Sequence, residues 1–201
     1  MAVASGTIYY AGGDQERKFG PDPDFYGNLM VLQLNETWQG HTVYALYGHM
    51  ETILMQTGQP VNAGEVIGAV GASGIAQGPH LHLEARLDSP NSYWDTRNPE
   101  LWLQPINGSM GALAVRVTDA KMRYLPGVRV SFICSDGAKR YLDTYWDNGV
   151  NPDDQYGENA AMSDVPAGAC TFEATVLDQK IKRTVNVEAG TVNFVWLRPD
   201  K

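Results

Sequence analysis

The apolar positions of this chain fall into short runs or alternate with period two, and no long stretch follows the 3.6-residue period of an amphipathic helix. Gly6-Thr7-Ile8-Tyr9-Tyr10-Ala11 reads as a strand that ends in a Gly12-Gly13 turn. Asn28 to Asn35 is almost continuously apolar and reads as a second strand; Thr42 to Met50, rich in Tyr, reads as a third. From Gly58 to Gly71, glycines punctuate very short segments, the pattern of brief strands joined by tight turns. A strand from His80 to Leu87 follows, and Pro99-Glu100-Leu101-Trp102-Leu103 allows a single helical turn.

Past a Pro/Gly/Asn/Ser stretch at 104–111 the alternation becomes more regular. Ala112–Thr118, Val128–Cys134, Thr171–Leu177, Lys182–Val187 and Thr191–Leu197 are five predicted strands, separated by turns such as Leu125-Pro126-Gly127 and Glu188-Ala189-Gly190. Short strands with such turns predict a β-sandwich. Between them, Asp143 to Asp164 is polar and unpatterned and reads as an irregular surface loop. The fold class is mostly β, with one domain over 1–106 and a smaller β-sandwich over 107–201.

Composition narrows the function classes. No apolar run approaches the ~20 residues of a membrane span, and the Met1-Ala2-Val3 start lacks the basic and apolar stretches of a leader, so the chain reads either as cytosolic or as a fragment or mature form whose leader is not present. The net charge is −8. Residues 1–109 carry 11 acids against 4 bases, and residues 110–201 carry 12 against 11. An acidic first half argues against a nucleic-acid partner, which needs a basic face. Both cysteines, Cys134 and Cys170, lie in the second domain. Paired, they would close a loop of about 37 residues, worth roughly 4 kcal/mol in the chain-entropy model, and would suit a secreted protein. Unpaired, they are two buried thiols; both readings stand. The acidic loop 147–154 lacks the ligand alternation of an EF-hand and reads as a solvated loop. Tyr141, Tyr145 and Trp146 read as packing residues rather than a sugar platform.

The candidate chemistry lies in the first domain, which holds all four histidines: 41, 49, 80 and 82. His80 and His82, at i and i+2, point to one face of a strand with Cβ atoms about 7 Å apart. Imidazole serves both as a metal ligand and as a general acid or base. Glu84, two residues further on the same face, can hydrogen-bond a metal-bound imidazole or be an ordinary core-edge carboxylate. His41 reads as a surface residue. The Gly58–Gly68 segment alone has the look of a biotinyl or lipoyl carrier, but no lysine occurs between Lys18 and Lys121 to carry the cofactor.

Taken in order, Tyr47-Gly48-His49-Met50, Gly58–Gly68, Gly71-Ala72-Ser73-Gly74 and Gly78-Pro79-His80-Leu81-His82-Leu83-Glu84 resemble the lysostaphin-type zinc metallopeptidases. Tyr26-Gly27-Asn28 and Asn98–Leu103 are similar to two further segments of that family, so the resemblance covers roughly residues 3–103. It implies an antiparallel β-sheet groove domain of the barrel-sandwich hybrid type, built on the duplicated hybrid motif. It also implies zinc as cofactor, a peptide or peptidoglycan cross-link in the groove, and an extracellular or periplasmic location. Carried onto this sequence, His82 is the zinc ligand. His80 and His49 orient the attacking water and stabilise the tetrahedral oxyanion, and Glu84 supports His82. The family draws its other two ligands from a His-x-x-x-Asp motif upstream of the Gly-Thr-Ile strand. No such motif occurs in this chain, whose Gly6-Thr7-Ile8 stands near its start. One imidazole does not hold zinc tightly, so the chain as it stands is expected to be inactive or nearly so. It reads either as a fragment cut after that motif or as a non-catalytic module that keeps the groove. In the second domain, Pro166–Phe172 and Val185–Phe194 resemble carboxypeptidase-regulatory or transthyretin-like sandwiches, which implies a structural or adhesive role.

Overall fold

Leu29, Met30, Val31 and Leu32 are all fully buried, although neighbouring side chains on a strand point to opposite faces. The computed structural model, which describes residues 1–15, 17–146 and 149–199, shows the reason. The strand they belong to, β2 (Asn28–Trp38), is covered on both sides. Met30 and Leu32 join Ile8, Ala45, Tyr47, Val61 and Ile67 in one cluster. Leu29 and Val31 join Phe19, Tyr26, Tyr44 and Leu46 in another. A strand with two buried faces loses its alternation, which is why this run reads as continuous.

Two units form the chain, Met1–Arg97 and Asn98–Lys201. In the first, β1 (Gly6–Gly13) pairs antiparallel with β2, and β2 with β3 (His41–Gly48). A small separate sheet joins β4 (Met50–Ile53) to β6 (Gly68–Val70), while β5 (Pro60–Val61) edges β1. Next, β7 (His82–Leu87) pairs with β3, and β8 (Thr96–Arg97) with β7. Within this unit the main sheet therefore runs β8-β7-β3-β2-β1-β5. The β3–β7 register sets Gly48 against His82 and Leu46 against Glu84. It thereby brings residues far apart in sequence to one place on the sheet.

The second unit contains β9 (Met110–Val117), β10 (Arg129–Ile133), β11 (Lys139–Asp143), the two-residue β12 (Val150–Asn151), β13 (Ala160–Pro166), β14 (Gly168–Val176), β15 (Gln179–Val187) and β16 (Val192–Leu197). One sheet is ordered β11-β10-β14-β15 and the other β13-β9-β16. Leu113, Val115 and Val117 of one sheet meet Val130, Phe132 and Phe172 of the other in a single core. The rings of Phe132 and Phe172 stack with centroids 4.9 Å apart. The last strand, β16, runs parallel to β9. Cys134 and Cys170 form a disulfide, so the paired reading applies.

The unit boundary falls ahead of the 104–111 stretch because Asn98–Leu101 is tied into the second unit. Asn98 Oδ1 caps the short 3-10 turn Pro99–Leu101 by accepting from Glu100 N at 3.0 Å, and the Glu100 carboxylate accepts from Ser163 N at 2.5 Å. Nor is the 143–164 stretch an irregular surface loop. Asp153, Glu158 and Asn159 are buried within it, and β13 begins at Ala160. Polar residues can line an interior when each finds a hydrogen-bond partner. Asn159 does so through Val117 N at 2.7 Å and Val117 O at 3.1 Å.

Burial pushes the Glu158 carboxyl up to about 7, although Asp153 N and Tyr145 Oη both donate to it. A carboxyl that titrates near 7 when folded and near 4.5 when unfolded favours folding most below pH 4.5. It loses that contribution as the pH rises toward 7. The urea midpoint of the second unit is therefore expected to fall between pH 5 and pH 8, and Glu158→Gln to flatten that fall. An identical pH slope in the variant would assign the effect to other groups.

Candidate metal centre

His49 follows Gly48, the last residue of β3, and His82 is the first residue of β7 directly across from Gly48. The ladder thus places the two imidazoles beside each other. His80 lies outside the regular strand, in an isolated antiparallel bridge with Gly71, with its N–H donating to Gly71 O at 3.2 Å. The ring centroids are 4.9 Å apart for His49–His80, 5.2 Å for His49–His82 and 6.3 Å for His80–His82. One donor atom from each ring lies within 4.8 Å of those of the other two. His49 is buried, His82 half-buried and His80 exposed, so the cluster opens to solvent on the His80 side.

Each ring has its other nitrogen occupied. His49 Nδ1 donates to Ser73 O at 2.8 Å, His80 Nδ1 to Gly78 O at 2.8 Å, and His82 Nε2 to Glu84 Oε1 at 2.8 Å. Carbonyls and carboxylates only accept, so these nitrogens carry the protons. In the neutral rings, His49 Nε2, His80 Nε2 and His82 Nδ1 keep their lone pairs. Imidazoles that bind a metal are commonly oriented in this way.

Beneath the cluster lies a buried polar network. Glu84 accepts from Tyr26 Oη at 2.5 Å, from Arg86 Nε at 2.8 Å and from Thr96 Oγ1 at 3.1 Å, besides His82. Arg86, with no exposed surface, also donates to Tyr26 Oη at 2.7 Å, Phe19 O at 3.0 Å and Pro90 O at 2.9 Å. Burial alone would raise the Glu84 carboxyl, but the His82 hydrogen bond, the Arg86 charge and the Tyr26 hydrogen bond bring it down to about 2. It is thus a carboxylate at neutral pH. Burial and the Glu84 charge push the Tyr26 phenol up. Burial also lowers the His49 imidazole, as do the charges of His82 and His80, against the opposing pull of Ser73 O. A lowered histidine stays neutral, with a free lone pair, at physiological pH.

His49, His80, His82 and Glu84 are thus brought together, with Glu84 hydrogen-bonded to His82. His41 sits elsewhere, paired with Asp88 at 2.6 Å. Tyr145 turns inward to Glu158, away from any platform with the exposed Tyr141 and Trp146. In the acidic loop, Asp147 and Asn148 lie outside the described residues, and Asp153 is buried. The sequence reading missed Arg86. Its signal was present: His82, Glu84 and Arg86 stand at i, i+2 and i+4 of one strand and share one face.

Residues 1–93 match the model of Peptidase family M23. The peptidoglycan DD-endopeptidase ShyA of Vibrio cholerae is 36% identical over 84 residues, which cover 42% of this chain and 18% of that protein. The DD-carboxypeptidase/endopeptidase Mpg of Neisseria meningitidis is 31% identical over 136 residues, covering 67% of this chain and 30% of that protein. The chain therefore spans less than a third of the length of either relative. The catalytic domain of lysostaphin from Staphylococcus simulans is 30% identical with a TM-score of 0.40, over 49% of this chain and 64% of that one. The part of the chain that holds the histidine cluster, residues 1–93, is thus the part that is similar to Peptidase family M23.

Proposed function

We propose that the first unit is the core of a metal-dependent endopeptidase that cleaves peptide cross-links of bacterial peptidoglycan outside the cytoplasm. The observation that carries this is the convergence of three imidazoles, each with its second nitrogen held by a carbonyl or carboxylate. The peptidoglycan-directed names of the relatives support the substrate, and the Cys134–Cys170 disulfide supports the location.

His82 would be one zinc ligand, through Nδ1, with Glu84 fixing its ring. When bound, zinc polarises the scissile carbonyl and acidifies the attacking water. His49, neutral and with Nε2 free, would accept a proton from the attacking water and return it to the leaving amine. His80, on the open side, would donate to the developing oxyanion from Nε2 in its doubly protonated form, Nδ1 being held by Gly78 O. Residues 1–201 contain no His-x-x-x-Asp, so turnover by this stretch alone is low. For the second unit we propose a structural or adhesive role.

The test is incubation of the chain with zinc and a purified cross-linked muropeptide dimer. Slow cleavage of the cross-link, stopped by a chelator, is expected. His49→Ala and His80→Ala should each lower kcat about 100-fold. Retention on peptidoglycan without zinc-dependent cleavage would support a second reading, favoured by the missing motif: a binding module that keeps the groove. Neither cleavage nor retention would overturn both.

A further inference from the structure

His49 has a left-handed backbone, with φ +56°. Side chains with a Cβ seldom adopt this region unless the surroundings impose it. Four hydrogen bonds hold residues 49 and 50 here, and Ser73 makes two of them. Its carbonyl accepts from His49 Nδ1 at 2.8 Å. Its hydroxyl donates to Met50 O, the carbonyl of the next residue, at 3.0 Å, and accepts from Asn28 N at 2.9 Å. Asn28 Nδ2 reaches the same Met50 carbonyl at 3.2 Å, and His49 N donates to Tyr26 O at 2.8 Å. Ser73 therefore holds the backbone just after His49 with its side chain and the ring of His49 with its main chain.

The Ser73 turn is itself seated without slack. Gly27 and Gly74, at φ +63° and +70°, lie back to back. A Cβ added to either would stand 2.3 Å from the backbone nitrogen of the other. Two residues before Ser73, Gly71 forms the bridge that holds the His80 backbone. One short turn, 71–74, thus registers both His49 and His80 against the loop at 26–28.

We propose that Ser73 is a positioning residue for His49. Its hydroxyl locks the turn so that its carbonyl selects the Nδ1–H tautomer, which leaves Nε2 facing the cluster. This role rests on the peptidase reading only for its effect on catalysis; the tautomer itself does not depend on that reading.

The experiment compares the wild-type chain with Ser73→Ala and Ser73→Thr. Threonine keeps the hydroxyl, and Ser73 is half-buried. Long-range proton–nitrogen NMR of 15N-histidine protein reads the tautomer directly. A single Nδ1–H form of His49 is expected in the wild type and in Ser73→Thr, and a mixture of both tautomers in Ser73→Ala. Exchange of the Asn28 amide should quicken at least tenfold in Ser73→Ala alone. On the muropeptide dimer, Ser73→Ala should lower kcat about tenfold with KM unchanged, and Ser73→Thr should restore it. An Nε2–H form in the wild type would overturn the assignment. So would a single Nδ1–H form in Ser73→Ala, or a Ser73→Thr protein that behaves as the alanine variant does. If the wild type cleaves nothing, the peptidase reading fails while the tautomer comparison still decides the role of Ser73.

Discussion

Arg86→Ala is expected to destabilise the first unit by about 3–5 kcal/mol, the range for removing one partner of a buried ion pair. The guanidinium has no exposed surface and spends its donors on Glu84, Tyr26 Oη, Phe19 O and Pro90 O. Truncation would leave the Glu84 charge buried with only His82, Tyr26 and Thr96 to satisfy it. It would also strand two main-chain carbonyls and open a cavity at one of the largest fully buried side chains. Arg86→Lys should recover little, because one ammonium cannot span acceptors that a planar, five-donor fork reaches together. A paired replacement, Glu84→Leu with Arg86→Met, should cost less than either single change to alanine, since it removes both charges and keeps volume. Urea unfolding of the wild type and these variants measures this. A loss below 1 kcal/mol for Arg86→Ala would show that the network is dispensable. The pair should also separate stability from function. The apolar double variant would fold, yet it would lose the carboxylate that hydrogen-bonds His82 and, on the proposed zinc reading, affinity for the ion with it.

The network also shows what a one-dimensional reading can and cannot reach. His82 and Glu84 were legible because chemistry at strand spacing is visible in a string of letters. Arg86 continues the same spacing, but a lone arginine in an apolar strand reads as a surface residue until the far side of the sheet is known. Its partners come from two loops, Phe19 and Tyr26 from the one between β1 and β2 and Pro90 from the one after β7, which no local pattern connects. The apolar runs of β2 and β3 correctly announced strands. Their lack of alternation had a tertiary cause, the two clusters that flank the sheet. The stretch 143–164 failed as a surface loop for the opposite reason. Glu158 and Asn159 are polar by letter but interior by hydrogen bonding, and hydropathy patterns cannot register a satisfied buried acceptor. The parallel contact of β16 with β9 was equally out of reach, because it joins strands that no hairpin connects.

Breaking the Cys134–Cys170 disulfide should lower the stability of the second unit by roughly 4 kcal/mol, the chain-entropy value for a closed loop of this size. The bond spans a sequence separation of 36 and ties two strands that are already neighbours. Ile133, the last residue of β10, pairs with Thr171 of β14, so Cys134 and Cys170 meet just beyond the end of that ladder. Because the ladder and the stacked Phe132 and Phe172 hold the folded strands together without it, the bond acts mostly on the unfolded chain. It forbids the extended states that would separate β10 from β14. The second unit should therefore still fold when reduced, but melt roughly 20 °C lower, given about 4–8 °C per kcal/mol for a domain of this size. The first unit holds neither cysteine, so its transition should not move. Thermal unfolding with and without a phosphine reductant, beside a Cys134→Ala/Cys170→Ala protein, reads the effect twice. Reduction leaves two thiols packed in the core, whereas the double variant removes their volume. Equal losses would assign the stabilisation to the cross-link, and a larger loss in the double variant would assign the excess to packing. A fall of under 1 kcal/mol on reduction would mean that the unfolded chain already keeps β10 and β14 together.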